Sequence, residues 1–178
     1  MLDLADKFKS ALSYESFVDS AGKKKDLFRE TYQETLLDEK AREALTAFPK
    51  KLKFLVIAEN WCGDVIAIVP VIKKLTENLP DIELKIISRD AHPELMDAYL
   101  TDGKRSVPKM IILNEDFQEI GIWGPRPRTA MNFYRKHTRL LKLGLIGKGI
   151  VFEKVRKFYK ENRGKEVQAE IARIIRES

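Results

Sequence analysis

The stretch that decides the fold is Ile57–Pro70, which reads IAENWCGDVIAIVP. Its cysteine, Cys62, is the only cysteine of the chain. The preceding run KLKFLVIAE (51–59) is apolar over several consecutive positions, which is typical of a central strand covered on both faces. From Gly63 onward the apolar residues recur at helical intervals, and Pro70 inside that pattern predicts a kink instead of a helix end. Cys62 is therefore expected where a strand ends and a helix begins.

Beyond this stretch, the spacing of apolar residues predicts helices, then a β-α-β-α-β-β-α order, then two more helices. A parallel pair of strands joined through a helix and followed by a hairpin indicates a mixed sheet with helices on both faces. The segments outside 51–79 are helices within 1–50, a strand over 82–88, a short helix over 92–100, two hairpin strands within 109–124, and helices to the C-terminus with a break over 143–149.

The composition predicts one hydrophobic core. The chain has 178 residues, 44% of them hydrophobic, which is enough for a single domain. No window holds the ~18 consecutive apolar residues that a transmembrane helix needs. The N-terminal sequence MLDLADKF lacks the basic start and apolar run of a signal peptide. A chain with one cysteine forms no internal disulfide, and an unpaired thiol suits the reducing cytosol, so we expect a soluble, cytoplasmic protein.

The net charge of +6 is concentrated near the end of the chain. Residues 125–178 carry 15 Lys and Arg against 5 Asp and Glu. This region is suited to an acidic partner, and the competing interpretation is a solvated helical face. It has no recognisable nucleic-acid-binding module, so nucleic acid is not an expected partner. His92 and His137 have no Cys, Asp or Glu at a metal-ligand spacing, so no bound metal is expected.

The order of motifs around Cys62 resembles thioredoxin. An apolar strand leads into Trp61-Cys62-Gly63, a helix that contains Pro70 follows, and a Val107-Pro108 step precedes a later strand. The resemblance covers about residues 51–142. The full chain, with its NWCGD and WGPRP segments, is similar to single-cysteine bacterial thioredoxin-like proteins.

This resemblance implies an α/β, thioredoxin-like fold in which a mixed central sheet is flanked by helices. One domain is expected over residues 1–178. Its implied parts are a helical N-terminal extension (1–50), the thioredoxin-like core (51–142) and C-terminal helices (143–178).

Two positions depart from the thioredoxin pattern. Val65 stands where thioredoxin has its resolving cysteine, so internal attack on a mixed disulfide cannot occur within this chain. Val56 stands where thioredoxin has a buried aspartate that assists the resolving cysteine. The two losses are mutually consistent, because a buried carboxylate with no proton to relay adds only a desolvation cost.

The resemblance implies that Cys62 is the nucleophile. At the start of a helix, free backbone N–H groups and the helix dipole favour the thiolate. Trp61 is expected to pack beside the sulfur, and Gly63 to permit close approach of a substrate chain. Val107 and a cis Pro108 are expected to press their loop against the cysteine and to offer backbone groups to an extended peptide or a thiol cofactor.

Charged neighbours complete the candidate site, and each has two interpretations. Asp64 in the first helical turn stabilises the helix dipole, but its charge disfavours a negative charge on the nearby sulfur. Lys104 and Arg105 are candidates for binding the carboxylates of a glutathione-like thiol, or they are solvated loop charges. Arg126 either faces the substrate groove or belongs to a Pro-x-Pro segment that ends the last strand and starts the next helix.

Two functions are consistent with these residues. In the first, the protein is a monothiol oxidoreductase. Its Cys62 attacks either a protein disulfide or a mixed disulfide that contains a low-molecular-weight thiol. No bound cofactor is expected; an external thiol such as glutathione or bacillithiol serves as co-substrate and releases the product. In the second, the protein is a non-catalytic binding module with a basic C-terminal helical surface, and Cys62 is a remnant or a redox-sensitive switch.

Overall fold

Strands from both halves of the chain form one mixed sheet at the centre of the molecule. The computed structural model describes residues 2–178, without the side chain of Lys148. The helices are α1 (Leu4–Ser10), α2 (Tyr14–Asp19), α3 (Lys25–Glu34), α4 (Glu39–Thr46), α5 (Gly63–Thr76), α6 (Pro93–Ala98), α7 (Arg128–Lys142), α8 (Lys148–Asn162) and α9 (Lys165–Glu177). The strands are β1 (Leu12–Ser13), β2 (Leu52–Ala58), β3 (Ile82–Ser88), β4 (Lys109–Leu113) and β5 (Glu119–Trp123).

The sheet has the strand order β1-β3-β2-β4-β5. Strands β2 and β3 run parallel, from the Leu52–Ile82 pair to the Ala58–Ser88 pair, and α5 supplies the crossover that a parallel connection requires. Strand β4 is antiparallel to β2 on its other side, and β5 forms a hairpin with β4. The predicted parallel pair, hairpin and mixed sheet are confirmed.

Strand β2 is buried along almost its whole length. Phe54, Leu55, Val56 and Ile57 all have no accessible surface, although they point alternately to opposite faces of the sheet. A strand with neighbours on both sides and layers on both faces needs an unbroken apolar run. The sequence of β2 therefore identifies it as the central strand before any pairing is known.

Helix α5 starts directly after Cys62 and runs through Pro70 to Thr76, so the proline does not end it, as predicted. Its buried residues include Val65, Ile68 and Ile72, which recur at helical spacing and pack into the core. Helices α3 and α9 both pack against it. The core thus fixes the helix whose first turn carries the cysteine.

The N-terminal region contains one element that the sequence did not predict. Strand β1 pairs antiparallel with β3, with Leu12 opposite Ile86 and Ser13 opposite Lys85. The prediction of an entirely helical region before residue 51 is wrong at this point, because a two-residue edge strand is too short to show alternation and Leu12 is itself exposed.

Helix α9 closes the molecule from the C-terminal side. It packs on α4, α5 and β5. The contact with β5 is close at Gly121, where a Cβ atom would lie 2.4 Å from Cγ2 of Ile174. The predicted break between the two preceding helices is present between Lys142 and Lys148. None of the helices within residues 2–178 is both long enough and apolar enough to cross a membrane.

Candidate active site

The cysteine lies at the junction that the sequence predicts. Cys62 is the N-cap residue of α5, with extended backbone angles (φ −80°, ψ 127°), and its N–H donates to the carbonyl of Glu59 at 3.1 Å. Its side chain is partly exposed. Its Sγ lies 3.8 Å from the carbonyl oxygen of Val107, at the distance of a weak S–H hydrogen bond. The Val107–Pro108 peptide bond is cis.

The turn between β2 and Cys62 is held by residues from other parts of the chain. The carboxylate of Glu59 accepts hydrogen bonds from the Ser88 hydroxyl at 2.7 Å and from the N–H of Asp90 at 2.9 Å. On the N-terminal side, Lys24 Nζ donates to the carbonyl of Trp61 at 2.9 Å. The cysteine is thus presented on a turn with fixed hydrogen-bond partners, although nothing in the local sequence indicated them.

The indole ring of Trp61 forms an open edge of the site. Its side chain is 51% exposed, and the guanidinium of Arg89 lies 5.1 Å from its ring centroid. Both side chains line the same cleft as Cys62. An exposed ring stacked on an arginine offers a contact surface to a bound molecule, which extends the expected shielding role of Trp61.

Asp64 and Arg126, two predicted site residues, form an ion pair. Their side chains are only 13% and 14% exposed. Tyr159 of α8 donates to the other carboxylate oxygen of Asp64 at 3.0 Å, and Arg126 stacks on the ring of Tyr134 at 4.0 Å. Arg126 therefore faces the site, and the Asp64 charge is compensated beside the cysteine. No sequence pattern pointed to Tyr159, because its contact with Asp64 spans 95 positions.

Two groups of this cluster have shifted pKa values. Burial raises the pKa of Tyr159 well above its ordinary value, and the Asp64 carboxylate raises it further. Burial alone lowers the pKa of Arg126, but the attraction and hydrogen bonding of Asp64 more than offset this, so the net direction is upward. At neutral pH the phenol stays a hydrogen-bond donor and the guanidinium stays charged.

The loop that carries Pro108 is packed against the end of β5. At Gly124, where φ is +108°, a Cβ atom would lie 2.4 Å from the carbonyl oxygen of Pro108. The buried Lys109 donates from Nζ to the Thr101 hydroxyl at 2.6 Å and to the carbonyl of Gly124 at 3.2 Å. Burial lowers the pKa of Lys109. This lysine was not predicted as a site residue; its position at the start of an otherwise apolar strand was the available signal.

A cleft of about 410 Å³ opens from the cysteine between the loop over 101–107 and helix α7. Seven basic side chains and two acidic ones line it. Four of the cations are paired with carboxylates, namely Arg89 with Asp90, Arg105 with Asp97, Arg126 with Asp64, and Arg135 with Asp102. The other three basic side chains have no ion pair among the residues described, so the cleft has a net positive charge.

Arg105, a predicted substrate-binding residue, lines this cleft, but its guanidinium is already paired with a carboxylate. Its Nε and one terminal nitrogen each lie 2.7 Å from the carboxylate of Asp97. A bidentate pair of this kind uses the fork that a substrate carboxylate would occupy. Lys104, also on the cleft wall, forms no ion pair with the residues that the structure describes.

Two predicted departures from the dithiol pattern lie deep in the core. Val65 and Val56 both have no accessible surface, and Val56 pairs with Ile86 and Met110 in the sheet. The histidines lie outside the cleft. Among residues 2–178, no group of three or more His, Cys, Asp or Glu side chains is arranged to hold a metal ion.

A lone cysteine between a central strand and a helix, facing a proline loop on a mixed sheet flanked by helices, defines a protein of the thioredoxin-like class. The family model described as Thioredoxin matches residues 11–139, more than half of the chain, and the chain belongs to this family. No protein of curated function is significantly similar to it in sequence.

Two solved structures show the same fold. One is a protein of unknown function from Pseudomonas aeruginosa, 19% identical, with a TM-score of 0.76 over 99% of this chain and 98% of that one. The other is an HIV epitope scaffold, 18% identical, with a TM-score of 0.75 over 99% of each chain. At these sequence identities, the similarity concerns the fold alone.

Proposed function

We propose that this protein is a monothiol thiol-disulfide oxidoreductase that acts through Cys62. One observation carries the proposal: the partly exposed Sγ of Cys62 lies 3.8 Å from the Val107 carbonyl and opens onto a basic cleft. The sulfur lies at the N-terminus of the 14-residue helix α5, where unpaired N–H groups favour developing negative charge. The backbone beside Pro108 and the ring of Trp61 form the walls along which a substrate is held.

The proposed reaction has two balanced steps. The substrate of the first step is a disulfide between a protein and a low-molecular-weight thiol, and the Cys62 thiolate attacks the sulfur of the low-molecular-weight thiol. A new disulfide forms between Cys62 and that thiol, and the protein thiolate leaves and takes up a proton. In the second, an external thiolate attacks the outer sulfur of the Cys62 disulfide. The Cys62 thiolate is regenerated, and the two small thiols leave as their disulfide. Overall, the protein sulfur is released as a thiol and one external thiol is oxidised. That external thiol supplies the proton that the protein thiolate takes up, and the number of disulfide bonds is unchanged.

The external thiol is needed because the chain has no second cysteine. Val65, at the position three residues after Cys62, is a buried apolar side chain and cannot resolve the intermediate. Glutathione and bacillithiol are the proposed co-substrates, with a protein or low-molecular-weight thiol adduct as the substrate. Because such a cycle depends on reduced thiols, the proposal includes a cytoplasmic location.

A second candidate function is a non-catalytic binding module. It is favoured by the Asp64–Arg126–Tyr159 cluster, which holds the cleft together through carboxylate, guanidinium and phenol groups and does not involve the sulfur. In this alternative, a partner lies along the Pro108 loop and Cys62 has no turnover role. The two functions differ in whether binding and activity depend on the thiol.

Steady-state reduction of a glutathionylated peptide, with glutathione as the external thiol, separates them. We expect turnover by the wild-type protein and a fall to the uncatalysed rate in Cys62→Ser, because the hydroxyl is a far weaker nucleophile than the thiolate. Alkylation of the wild-type protein is a second control, since Cys62 is its only thiol. Equal rates for wild type and Cys62→Ser, with peptide binding retained in both, would support the module and contradict the enzyme.

A further inference from the structure

The cleft beside Cys62 carries more positive charge than its own carboxylates neutralise. After the four paired cations are set aside, three remain on its walls without an ion pair among the residues that the structure describes: Lys104, Arg139 and Lys142. All three are exposed. An uncompensated group of cations around a concave surface attracts an anion of matching charge.

Two of these cations, Arg139 and Lys142, lie along α7, and Lys104 lies on the loop that leads into Val107. Tyr134, Arg135, Thr138, Arg139 and Lys142 line the cleft at helical spacing, so one face of α7 forms its wall. Tyr134 is the residue stacked on Arg126, at the cysteine end. From Tyr134 to Lys142 the helix advances about 12 Å, at 1.5 Å per residue. A molecule that reaches both Cys62 and Lys142 is therefore elongated, with its thiol and its anionic groups well separated.

The part of the cleft near the sulfur suits an uncharged arm. Val107, Pro125 and Met131 line it together with the ring of Trp61, while Arg126 is already neutralised by Asp64. Glutathione, with about one net negative charge at neutral pH from two carboxylates and an ammonium group, leaves most of the three free cations unmatched. A thiol that carries phosphate groups at the end of a neutral arm matches both the charge of the three free cations and their positions along the cleft.

We infer that the cleft binds a phosphate-bearing, low-molecular-weight thiol of the coenzyme A type, with its thiol at Cys62 and its phosphates on Lys104, Arg139 and Lys142. This inference rests on the proposed function and specifies the chemical class of the external thiol that reacts with the Cys62 disulfide. The chemistry is the same exchange, with a protein mixed disulfide of the phosphate-bearing thiol as the substrate. A second molecule of that thiol attacks the Cys62 adduct, and the symmetrical disulfide leaves as the oxidised product.

Equilibrium binding to the Cys62→Ser protein tests the inference without any reaction at sulfur. The probes are coenzyme A, pantetheine, which has the same thiol arm without phosphates, and ADP, which has phosphates without the arm. We expect coenzyme A to bind at least about tenfold more tightly than either partial probe, with an affinity that falls as salt is raised.

Charge variants in the same Cys62→Ser background locate the site. Lys104→Gln/Arg139→Gln/Lys142→Gln is expected to lower the affinity for coenzyme A by about tenfold or more, towards that for pantetheine. The matched control is Lys9→Gln/Lys40→Gln/Lys165→Gln, which removes three exposed lysines on α1, α4 and α9, outside the cleft. It is expected to change the affinity by less than about twofold.

Three results would overturn the inference. They are equal affinities for coenzyme A and pantetheine, equal affinities for coenzyme A and ADP, and equal losses in the cleft and control variants. None depends on turnover, so failure of the proposed function, seen as a wild-type rate equal to that of Cys62→Ser, is distinguished from failure of this binding site.

Discussion

The carboxylate of Asp64, in the first turn of α5, contacts side chains from two distant parts of the chain. Arg126 reaches it from the segment after β5, and Tyr159 reaches it from α8. Because the ion pair is largely buried, each charge depends on the other for compensation. The Nε–H of Arg126 is also buried and finds no acceptor within the residues described. This guanidinium is therefore especially sensitive to the loss of its carboxylate partner.

Asp64→Asn is expected to destabilise the fold by about 3 kcal/mol, because it leaves a buried guanidinium without a counter-charge. Tyr159→Phe, which removes one hydrogen bond to the same carboxylate, is expected to cost about 1.5 kcal/mol. Urea unfolding of both variants measures the difference. An Asp64→Asn protein within about 0.5 kcal/mol of the wild type would show that the pair is not a stabilising contact.

At the scale of elements, the last strand and the Pro108 loop are fitted to each other at Gly124. The residue has a positive φ and faces the Pro108 carbonyl at a distance that leaves no room for a methyl group. Gly63, the first residue of α5, has no atoms within 4 Å of its notional Cβ. The two glycines therefore give opposite expectations for the same substitution.

Gly124→Ala is expected to lower stability by about 2–4 kcal/mol and to reduce the rate of thiol exchange, because the clash displaces the loop that faces Cys62. Gly63→Ala, its matched control for stability, is expected to be neutral or stabilising by up to about 1 kcal/mol, since alanine is the better helix former. Urea unfolding and peptide reduction on both variants measure these effects. Retention of full stability by Gly124→Ala would contradict the packing described here.

At the level of helices and strands, local sequence patterns predict some features of the structure and miss others. The position of Cys62 followed from local patterns: an unbroken apolar run for β2, then helical spacing in α5. The bounds of β3, Ile82–Ser88, were also predicted. The two-residue β1, the Tyr159 contact and the role of Lys109 were not, because each depends on a partner that only the folded chain brings close. Arg105 was predicted as a site residue, but its ion pair with Asp97 was not predicted.

At the scale of the whole molecule, part of the basic C-terminal excess lies inside the cleft. Arg126, Arg135, Arg139 and Lys142 all belong to residues 125–178 and line its walls. The remaining basic residues of this region lie on other parts of α7, on α8 and α9, and, in the case of Arg163, in the turn between α8 and α9. An acidic partner for that outer surface stays a prediction. The cleft charge suits a small anionic ligand instead.

Stability of the molecule as a whole is expected to fall above pH 10. Burial and the hydrogen bond to Glu77 raise the pKa of Tyr32 to about 12, and burial raises the pKa values of Tyr14, Tyr99 and Tyr159 as well. In the unfolded chain these phenols ionise near pH 10. Between pH 10 and 12 the unfolded state therefore loses protons that the folded state keeps, which favours unfolding as the pH rises.

Urea unfolding midpoints measured from pH 8 to pH 12 test this dependence. The wild-type midpoint is expected to be level up to about pH 10 and then to decline. Tyr32→Phe removes one of the titrating groups and is expected to decline less steeply. An identical decline in the variant would exclude a contribution from Tyr32.

The most direct test of the central claim, that Cys62 carries the exchange, is intact-protein mass spectrometry during a single turnover with a glutathionylated peptide. We predict one glutathionyl adduct on the wild-type protein, mapped to Cys62, formed as the free peptide appears and removed when glutathione is added. Release of the peptide with no adduct on Cys62, or formation of an adduct that added glutathione does not remove, would contradict the monothiol mechanism.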